Sequence, residues 1–570
     1  MFQIKTCARF SLVLLGMGLA GCATQQGGMS SGGGVNDADL AKNAGAEWLH
    51  SHGSWDGARY STLDEVNSRN ASELKMAWTF STGTTGNQQA TPIFHDGILY
   101  FPIHGQTVLA VDARSGKEVW RYKHELPENY GGFVPNFLGQ ISKGVAIYKD
   151  RILFYTNDSK LVALQYKTGE KLLEVQVRPY VHVNEAGEEQ LGYYSTLSPL
   201  VVPGLVLLGQ SHGEQGGSPA YLDALNPMTG EIVWSANVIP QEGEIGHDTW
   251  YGDSAETGGA PLWINGTYDA ETNFTYWGTG NAYPWNATER RGPNMDMDNI
   301  GAAGIMAVDV SNGNVEWRTQ LVPGDNWDFD TMAPPIVADV DGRKTLIQPN
   351  KTGYIHYLDA RSGECFRSVQ FIENITWAEG YDENCRPVGE MAPPEVGGDP
   401  ILKCPSLMGG VNLYPSAYNP QTGMVYMPAR DMCDKWGYDE IVELAGVKSM
   451  GASTEMQPGN ELNTAFNVSS GVEVWRDEAA DDGYAGGMLT TAGNITVYGS
   501  SNGDIKVVDA TTGENLFTFP ANITHKAGPM TYELDGKQYI AQLSGGIQLG
   551  GAAFLLNTAP DGGMLYVFSR

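Results

Sequence analysis

Two segments rich in side-chain oxygens lie near the middle of the chain, at residues 276–286 and 324–330. The first contains Asn281, and the second contains Asp325, Asp328 and Asp330. Oxygen-rich loops carried on a rigid sheet bind hard cations and house proton and hydride transfer. Asn, Asp and Gly are also ordinary turn residues, so the prediction of chemistry depends on the whole set of loops together.

A repeated pattern supplies the elements that must position these loops. A short strand leads into a turn with a glycine, and a second strand follows that often ends in Trp. The turn glycines are Gly116, Gly169, Gly230, Gly313, Gly363, Gly423, Gly471 and Gly513. Their spacing of about 40 to 85 residues is typical of propeller blades with insertions. We therefore expect an all-β fold, an eight-bladed β-propeller of four-stranded antiparallel blades, in which each Trp packs between neighbouring blades.

Composition agrees with many short strands and limits the possible partners. The 570 residues include 72 Gly, and only 18% of residues are charged. The formal net charge is −31, which repels nucleic-acid phosphates, so we expect no nucleic-acid partner. The acidic surface suits a cationic partner or serves solubility alone.

The N-terminus has the pattern of a bacterial lipoprotein signal. Lys5 and Arg9 precede an apolar run at residues 10–19, and small residues lead to Cys22. We expect residues 1–21 to be a signal peptide and Cys22 to be acylated. Residues 22–46 are expected to form a flexible tether, and residues 47–570 the propeller. Ala23 follows the cysteine, and this residue favours a location of the protein on the periplasmic side of the outer membrane. The lipid is expected to be its attachment to that membrane.

Four cysteines remain for disulfides in that oxidising compartment, namely Cys365, Cys385, Cys404 and Cys433. The residues alone allow three pairings. No Cys-x-x-Cys-His motif occurs, so we expect no c-type haem on this chain.

The Trp-bearing repeats, the loop at residues 278–286 and the loop at residues 327–330 together resemble the PQQ-dependent (quinoprotein) alcohol dehydrogenases. The large subunit of methanol dehydrogenase is the nearest type, and the resemblance runs from about residue 48 to residue 570. It implies eight blades, pyrroloquinoline quinone (PQQ) and one metal ion.

The resemblance also implies roles for individual residues. Asp328 matches the catalytic base, and Trp263 matches the residue that stacks on the quinone. The implied metal ligands are Glu214, Asn281 and Asp328, and the implied quinone contacts are Lys143, Thr196, Ser211, Trp263, Lys351 and Asn412. A family disulfide matches Cys404 with Cys433, which leaves Cys365 with Cys385.

Asp330 resembles an acid that marks the lanthanide-using branch of the family. A third carboxylate favours a trivalent ion more than Ca²⁺, because its added negative charge is better compensated. Calcium is the alternative, and Asp330 could also be a solvated turn acid.

Several positions depart from the family pattern around the quinone. The usual pair of adjacent cysteines is absent, and Phe137 and Leu138 fall near that place. Ala90 stands where the family has Glu, and Leu413 and Ala485 stand where it has Trp. We expect the affinity for quinone and substrate to be altered.

The implied activity is oxidation of an alcohol or aldehyde by hydride transfer to PQQ. Electrons would pass to a separate cytochrome c, because no haem motif is present. The alternative is a non-catalytic outer-membrane lipoprotein scaffold with the same repeats and anchor. The joint presence of Glu214, Asn281, Asp328 and Trp263 favours the enzyme.

Overall fold

Most of the chain forms short β-strands. The computed structural model describes residues 34–128, 140–183, 189–211, 218–444, 447–479, 486–546 and 562–570. Residues 34–570 form a single contact unit. Helical structure in these ranges consists of α1 (Asp37–Leu40), α2 (Ser254–Thr257) and the 3₁₀ turns Ala71–Glu73, His247–Thr249 and Ala287–Glu289.

The strands of the first half alternate with tight turns. They are β1 Tyr60–Ser61, β2 Lys75–Ser81, β3 Ile93–His95, β4 Ile98–Ile103, β5 Thr107–Asp112, β6 Glu118–Lys123, β7 Ala146–Tyr148, β8 Arg151–Tyr155, β9 Lys160–Gln165, β10 Lys171–Gln176, β11 Val181–Val183, β12 Glu189–Leu191, β13 Leu200–Val202, β14 Leu205–Gly209, β15 Ser218–Pro219, β16 Tyr221–Leu225, β17 Ile232–Asn237, β18 Gly258–Gly259, β19 Thr267–Asp269, β20 Phe274–Gly278, β21 Gly304–Asp309 and β22 Val315–Gln320.

The second half continues in the same way. Its strands are β23 Ile336–Val340, β24 Arg343–Pro349, β25 Tyr354–Asp359, β26 Cys365–Gln370, β27 Gly380–Tyr381, β28 Pro387–Val388, β29 Ile401–Lys403, β30 Ala417–Asn419, β31 Met424–Asp431, β32 Asp434–Tyr438, β33 Glu443–Leu444, β34 Val447–Lys448, β35 Ala452–Met456, β36 Asn460–Asn467, β37 Glu473–Ala479, β38 Leu489–Thr491, β39 Ile495–Gly499, β40 Asp504–Asp509, β41 Asn515–Pro520, β42 Met530–Leu534, β43 Lys537–Ser544 and β44 Met564–Ser569.

These strands assemble into antiparallel sheets of four. The sheets are β3-β4-β5-β6, β10-β9-β8-β7, β13-β14-β16-β17, β19-β20-β21-β22, β23-β24-β25-β26, β30-β31-β36-β37, β38-β39-β40-β41 and β2-β44-β43-β42. Strand β1 joins β38 in parallel, and a separate sheet β29-β32-β35 stands on an insertion. The all-β prediction with four-stranded antiparallel sheets is confirmed, and the arrangement is that of a β-propeller.

The Trp of one repeat packs on the turn glycine of the next sheet. A Cβ added to these glycines would lie within 3 Å of the indole. The pairs are Trp78 with Gly116, Trp120 with Gly169, Trp234 with Gly313, Trp317 with Gly363 and Trp475 with Gly513. Each indole Nε1 also donates to a backbone carbonyl of the next repeat, at 2.9 to 3.3 Å. The predicted Trp packing between repeats is thus confirmed, and it explains why glycine recurs at these turns.

The two ends of the described chain meet in one sheet. Strand β2 pairs antiparallel with β44, the last strand. The first long strand thus completes a four-stranded sheet whose other strands come from the C-terminal end of the chain.

The N-terminal boundary differs from the expected one. Residues 34–46 are packed on the sheets, because α1 begins after an Asn36 capping box and Leu40 is buried. Val35 bridges to Lys149, and Ala44 bridges to Ser61. The expectation of a flexible tether as far as residue 46 is therefore wrong for residues 34–46. The few apolar side chains of this polar segment pack against residues that are distant in sequence, so the composition of the segment does not predict their burial.

No helix in the described ranges has the length and apolar character needed to cross a membrane.

Candidate active site

The loop at residues 325–330 is buried and tightly held. The Asp325 carboxylate accepts the N–H groups of Trp327 and Phe329, each at 2.9 Å. Arg290, itself buried, donates to the carbonyl of Asp325. Burial raises the pKa of Asp325 and lowers the pKa of Arg290 to about 10. These contacts fix the backbone around Asp328, whose φ of 60° lies in the left-handed region that non-glycine residues rarely adopt.

Lys351 joins the two acids of this loop. It follows β24, and its Nζ lies 2.8 Å from Asp330 Oδ2 and 3.3 Å from Asp328 Oδ2. It also donates to the Asp328 carbonyl at 2.9 Å. All three side chains are buried. Asp330 is 1% exposed, so the alternative of a solvated turn acid is wrong.

Asn281 lies on the other face of the same acid. Its backbone N–H donates to Asp330 Oδ1 at 2.6 Å, and its Nδ2 donates to the Ala282 carbonyl at 3.0 Å. Its buried Oδ1 has no hydrogen-bond partner within the described residues. A buried amide oxygen without a partner, in a residue whose backbone contacts the Asp330 carboxylate, fits a ligand of a hard cation. Gly280 permits the close approach, since an added Cβ would lie 3.0 Å from Asp330 Oδ1.

A second cluster collects four of the predicted quinone contacts. Lys143 Nζ donates to Thr196 Oγ1 at 2.5 Å and lies 5.1 Å from the centre of the Trp263 ring. The hydroxyl of Ser211 accepts the backbone N–H of Thr196 at 3.1 Å. An ammonium group and two hydroxyls beside an indole face fit a flat, carboxylate-bearing ring.

A short backbone segment connects the two clusters. Leu262 N–H donates to the carbonyl of Gln210, the residue before Ser211, at 2.7 Å. On the other side Ala260 N–H donates to the carbonyl of Asn281 at 2.7 Å. Trp263 therefore follows a segment that is hydrogen-bonded both to the backbone just before Ser211 and to the Asn281 loop.

Asn412 joins the site through the next loop along. The N–H of Val411 donates to the carbonyl of Asn350, which precedes Lys351, at 3.1 Å. The buried Asn412 Oδ1 has no hydrogen-bond partner in the described part of the chain. The amide is therefore open to a polar group of a ligand.

The structure describes only some of the other predicted positions. Glu214, Phe137, Leu138, Ala485 and Cys22 lie outside the described residues. Of the remaining departures, Ala90 is fully buried and Leu413 is half-buried.

Both disulfides are present as the resemblance implied. Cys404 is bonded to Cys433, and Cys365 is bonded to Cys385.

Sequence reasoning missed a buried ion pair behind the Asp328 loop. Lys403 and Asp434 have no exposed side-chain surface, and Lys403 Nζ lies 3.5 Å from Asp434 Oδ1. Lys403 also donates to the carbonyl of Trp327 at 3.3 Å. No local signal marked this pair, because charged residues are mostly exposed and are fully buried only when paired.

Comparison with known proteins decides the family. Residues 48–373 and 467–540 match the family model described as PQQ: Glucose/ethanol/alcohol dehydrogenase, beta-propeller domain. The quinoprotein alcohol dehydrogenase PedH of Pseudomonas putida is 33% identical, over 90% of this chain and 89% of that protein. The chain belongs to the PQQ-dependent alcohol dehydrogenase family. Membership favours the enzyme over the non-catalytic scaffold.

Solved structures of relatives share the fold over nearly the whole dehydrogenase. The quinohemoprotein alcohol dehydrogenase of Comamonas testosteroni superposes with a TM-score of 0.82 at 28% identity, over 94% of this chain and 82% of that one. A europium-containing methanol dehydrogenase superposes with a TM-score of 0.80 at 27% identity, over 94% of this chain and all of that one.

Proposed function

We propose that this dehydrogenase oxidises a small alcohol or aldehyde with PQQ and one metal ion, and that Asp328 is the base. The observation that carries the proposal is a buried cluster in which Lys351 contacts both Asp328 and Asp330. Asp330 also accepts the backbone N–H of Asn281, whose buried Oδ1 has no hydrogen-bond partner among the residues that the structure describes. Once bound, PQQ would supply the hydride acceptor for the alcohol carbon, and the cation would supply a Lewis acid.

Asp328 suits the role of a base that takes the hydroxyl proton of the substrate. Its backbone is fixed on both sides by the contacts of Asp325 and Lys351, so the carboxylate has little freedom to turn away. Lys351 holds a buried positive charge beside Asp328, and this charge would stabilise negative charge that develops during the reaction.

The quinone is proposed to lie on Trp263, with Lys143, Thr196 and Ser211 at its carboxylates and Asn412 at a further polar edge. The hydrogen bonds between Lys143, Thr196 and Ser211 support this, since they already align the three donors. Glu214 completes the proposed metal ligands with Asn281, Asp328 and Asp330.

A lanthanide is proposed as the ion, with Ca²⁺ as the alternative. Burial of Asp330 against Asn281 supports a third carboxylate at the site, which gains more from a trivalent ion. The solved relative that contains europium supports the same choice.

The remaining parts of the proposal concern assembly and location. We propose eight blades, supported by the four-stranded sheets. The electron acceptor is a separate cytochrome c, because the sequence has no haem-attachment motif. The lipoprotein pattern ending at Cys22 supports a lipid anchor on the periplasmic side of the outer membrane.

A dye-linked dehydrogenase assay tests the proposal. The purified protein is loaded with PQQ and either Ca²⁺ or La³⁺, and a panel of primary alcohols and aldehydes is supplied. We expect activity with La³⁺, its loss in Asp330→Ala, and normal activity in Asp339→Ala, which removes an exposed acid. If neither ion supports quinone binding, the proposal is wrong.

A further inference from the structure

The Lys403–Asp434 ion pair is buried, and strand pairing and a disulfide fix the positions of its two residues. Lys403 ends β29 and Asp434 begins β32, and the two residues face each other across the antiparallel pair. The next residue on one side, Cys404, is bonded to the preceding residue on the other, Cys433. Asp434 Oδ2 also accepts Leu407 N–H at 2.9 Å and Thr454 Oγ1 at 3.1 Å. The acid is therefore oriented by hydrogen bonds to its Oδ2, and its Oδ1 forms the ion pair with Lys403.

The lysine side chain extends from this pair to the loop that carries Asp328. Its ammonium group donates to the carbonyl of Trp327 and lies 4.6 Å from the ring centre of Phe329. It also lies 4.7 Å from the ring of Trp436. The cation therefore contacts the residues on both sides of Asp328, through a hydrogen bond and through aromatic faces.

Two buried lysines thus hold consecutive peptide carbonyls. Lys403 binds the carbonyl of Trp327, and Lys351 binds the carbonyl of Asp328. The orientation of these two peptide groups sets the left-handed conformation of Asp328, which is disfavoured unless the surroundings enforce it. Burial lowers the pKa of Lys403, and the charges of Asp434 and Asp328 oppose that shift.

We propose that Lys403 is a positioning residue for Asp328, and that Asp434 and the Cys404–Cys433 disulfide hold Lys403 against the loop. The proposal rests on the proposed function, because it takes Asp328 as the base. It adds that a buried ion pair on a separate three-stranded sheet controls the geometry of the catalytic loop.

The decisive comparison uses Lys403→Met, Asp434→Asn and the double variant in the full chain. Lys403→Met alone leaves a buried carboxylate without its cation, so it is expected to lose thermal stability or fail to fold. The double variant removes both charges and is expected to unfold near the wild-type temperature. If the ion pair served only to stabilise the fold, the double variant would then behave like wild type.

The double variant is measured in two ways. Hydrogen exchange followed by mass spectrometry reports the peptide covering residues 325–331, where we expect exchange at least about tenfold faster. With PQQ and metal, we expect kcat to fall about tenfold to a hundredfold while KM and quinone affinity stay near wild type. Wild-type loop exchange and kcat in a stable double variant would overturn the proposal.

A matched control lies on the same sheet. Lys435 and Glu455 form a solvent-exposed pair across β32 and β35, with Nζ 3.0 Å from Oε1. Lys435→Met with Glu455→Gln should leave loop exchange and kcat unchanged. If the wild type shows no dehydrogenase activity, the proposed function fails, whereas the exchange experiment still decides whether Lys403 holds the loop.

Discussion

The ammonium group of Lys351 donates to Oδ2 of Asp330 at 2.8 Å inside the protein. A residue proposed as a metal ligand is thus already neutralised by a buried cation. Because Lys351 also contacts Asp328, this lysine reduces the negative charge that an incoming metal ion meets. Lys351 therefore stabilises the metal-free fold, and it lowers the affinity of the site for the ion.

Replacing Lys351 by Met should tighten cation binding and impair catalysis. We expect the affinity for La³⁺ to rise about tenfold or more, since the variant lacks a positive charge that contacts two of the proposed ligands. Calorimetric titration checks this, and kcat should fall in the same variant. Lys344→Met, whose partners are Glu271 and Asp339, is the control. Equal affinities of Lys351→Met and wild type would exclude an effect of Lys351 on the ion.

Asn281 should be required for metal binding. Asn281→Leu removes the buried Oδ1, and we expect at least about tenfold weaker binding of La³⁺ or Ca²⁺. Asn281→Asp keeps an oxygen at this position and adds a charge, so it should bind La³⁺ at least as tightly as wild type. Sensitised Tb³⁺ luminescence measures both variants, with the thermal midpoint as a check of folding. Unchanged binding in the Leu variant contradicts the assignment.

The Trp–Gly contact between repeats should contribute measurably to stability. Gly313 has φ 79°, and an added Cβ would lie 2.7 Å from the Trp234 indole. Gly342 has nearly the same φ, 81°, with nothing within 4 Å of such a Cβ. Gly342→Ala should cost about 1–2 kcal/mol for the left-handed conformation alone. Gly313→Ala should cost about 1–3 kcal/mol more because it also overpacks the indole. Urea unfolding gives both values, and equal costs would show that the contact is easily relaxed.

Acid should destabilise the dehydrogenase through its buried histidines. Burial lowers the pKa of His50 and His525 to about 4, and of His52 and His356 to about 3. Above pH 6.5 each is neutral in both states, so pH has no effect through these groups. Below pH 6.5 these histidines bind protons in the unfolded chain, whereas in the folded protein they stay neutral. Stability therefore falls as the pH drops toward 4, by about 1.4 kcal/mol per pH unit for each histidine.

Urea midpoints at pH 7.5 and pH 5 measure this loss. The double variant His356→Gln/His525→Gln should lose less stability between the two pH values than wild type. The half-buried His247 provides the control, and His247→Gln should follow the wild-type slope. An equal slope in the double variant would show that other groups dominate the acid response.

Much of the fold follows from local sequence signals. The glycine turns and the recurring Trp predicted the sheets, because strand alternation and turn conformation are set by neighbouring residues. The strands do not end at the Trp as expected, since Trp120, Trp234, Trp317 and Trp475 are each the third residue of a longer strand. The boundary near residue 34 did not follow, since Val35 and Leu40 pack against parts of the chain that a local reading cannot identify. Within the site, composition marked the two oxygen-rich loops, and the resemblance to the quinoprotein dehydrogenases singled out Asn281, Asp328 and Asp330 in them.

What the sequence determined by itself was therefore the kind of fold, the family and the residue types of the site. Only the tertiary structure decided that Lys351 bonds to Asp330, that Asn281 has a buried oxygen without a partner, and that Lys403 holds the Trp327 carbonyl. These residues are far apart in the chain, and their contacts arise when separate sheets and insertions pack together. A lysine in a sequence is normally expected to be exposed to solvent. Here the packing buries two of them, and their charges are held in place around one loop.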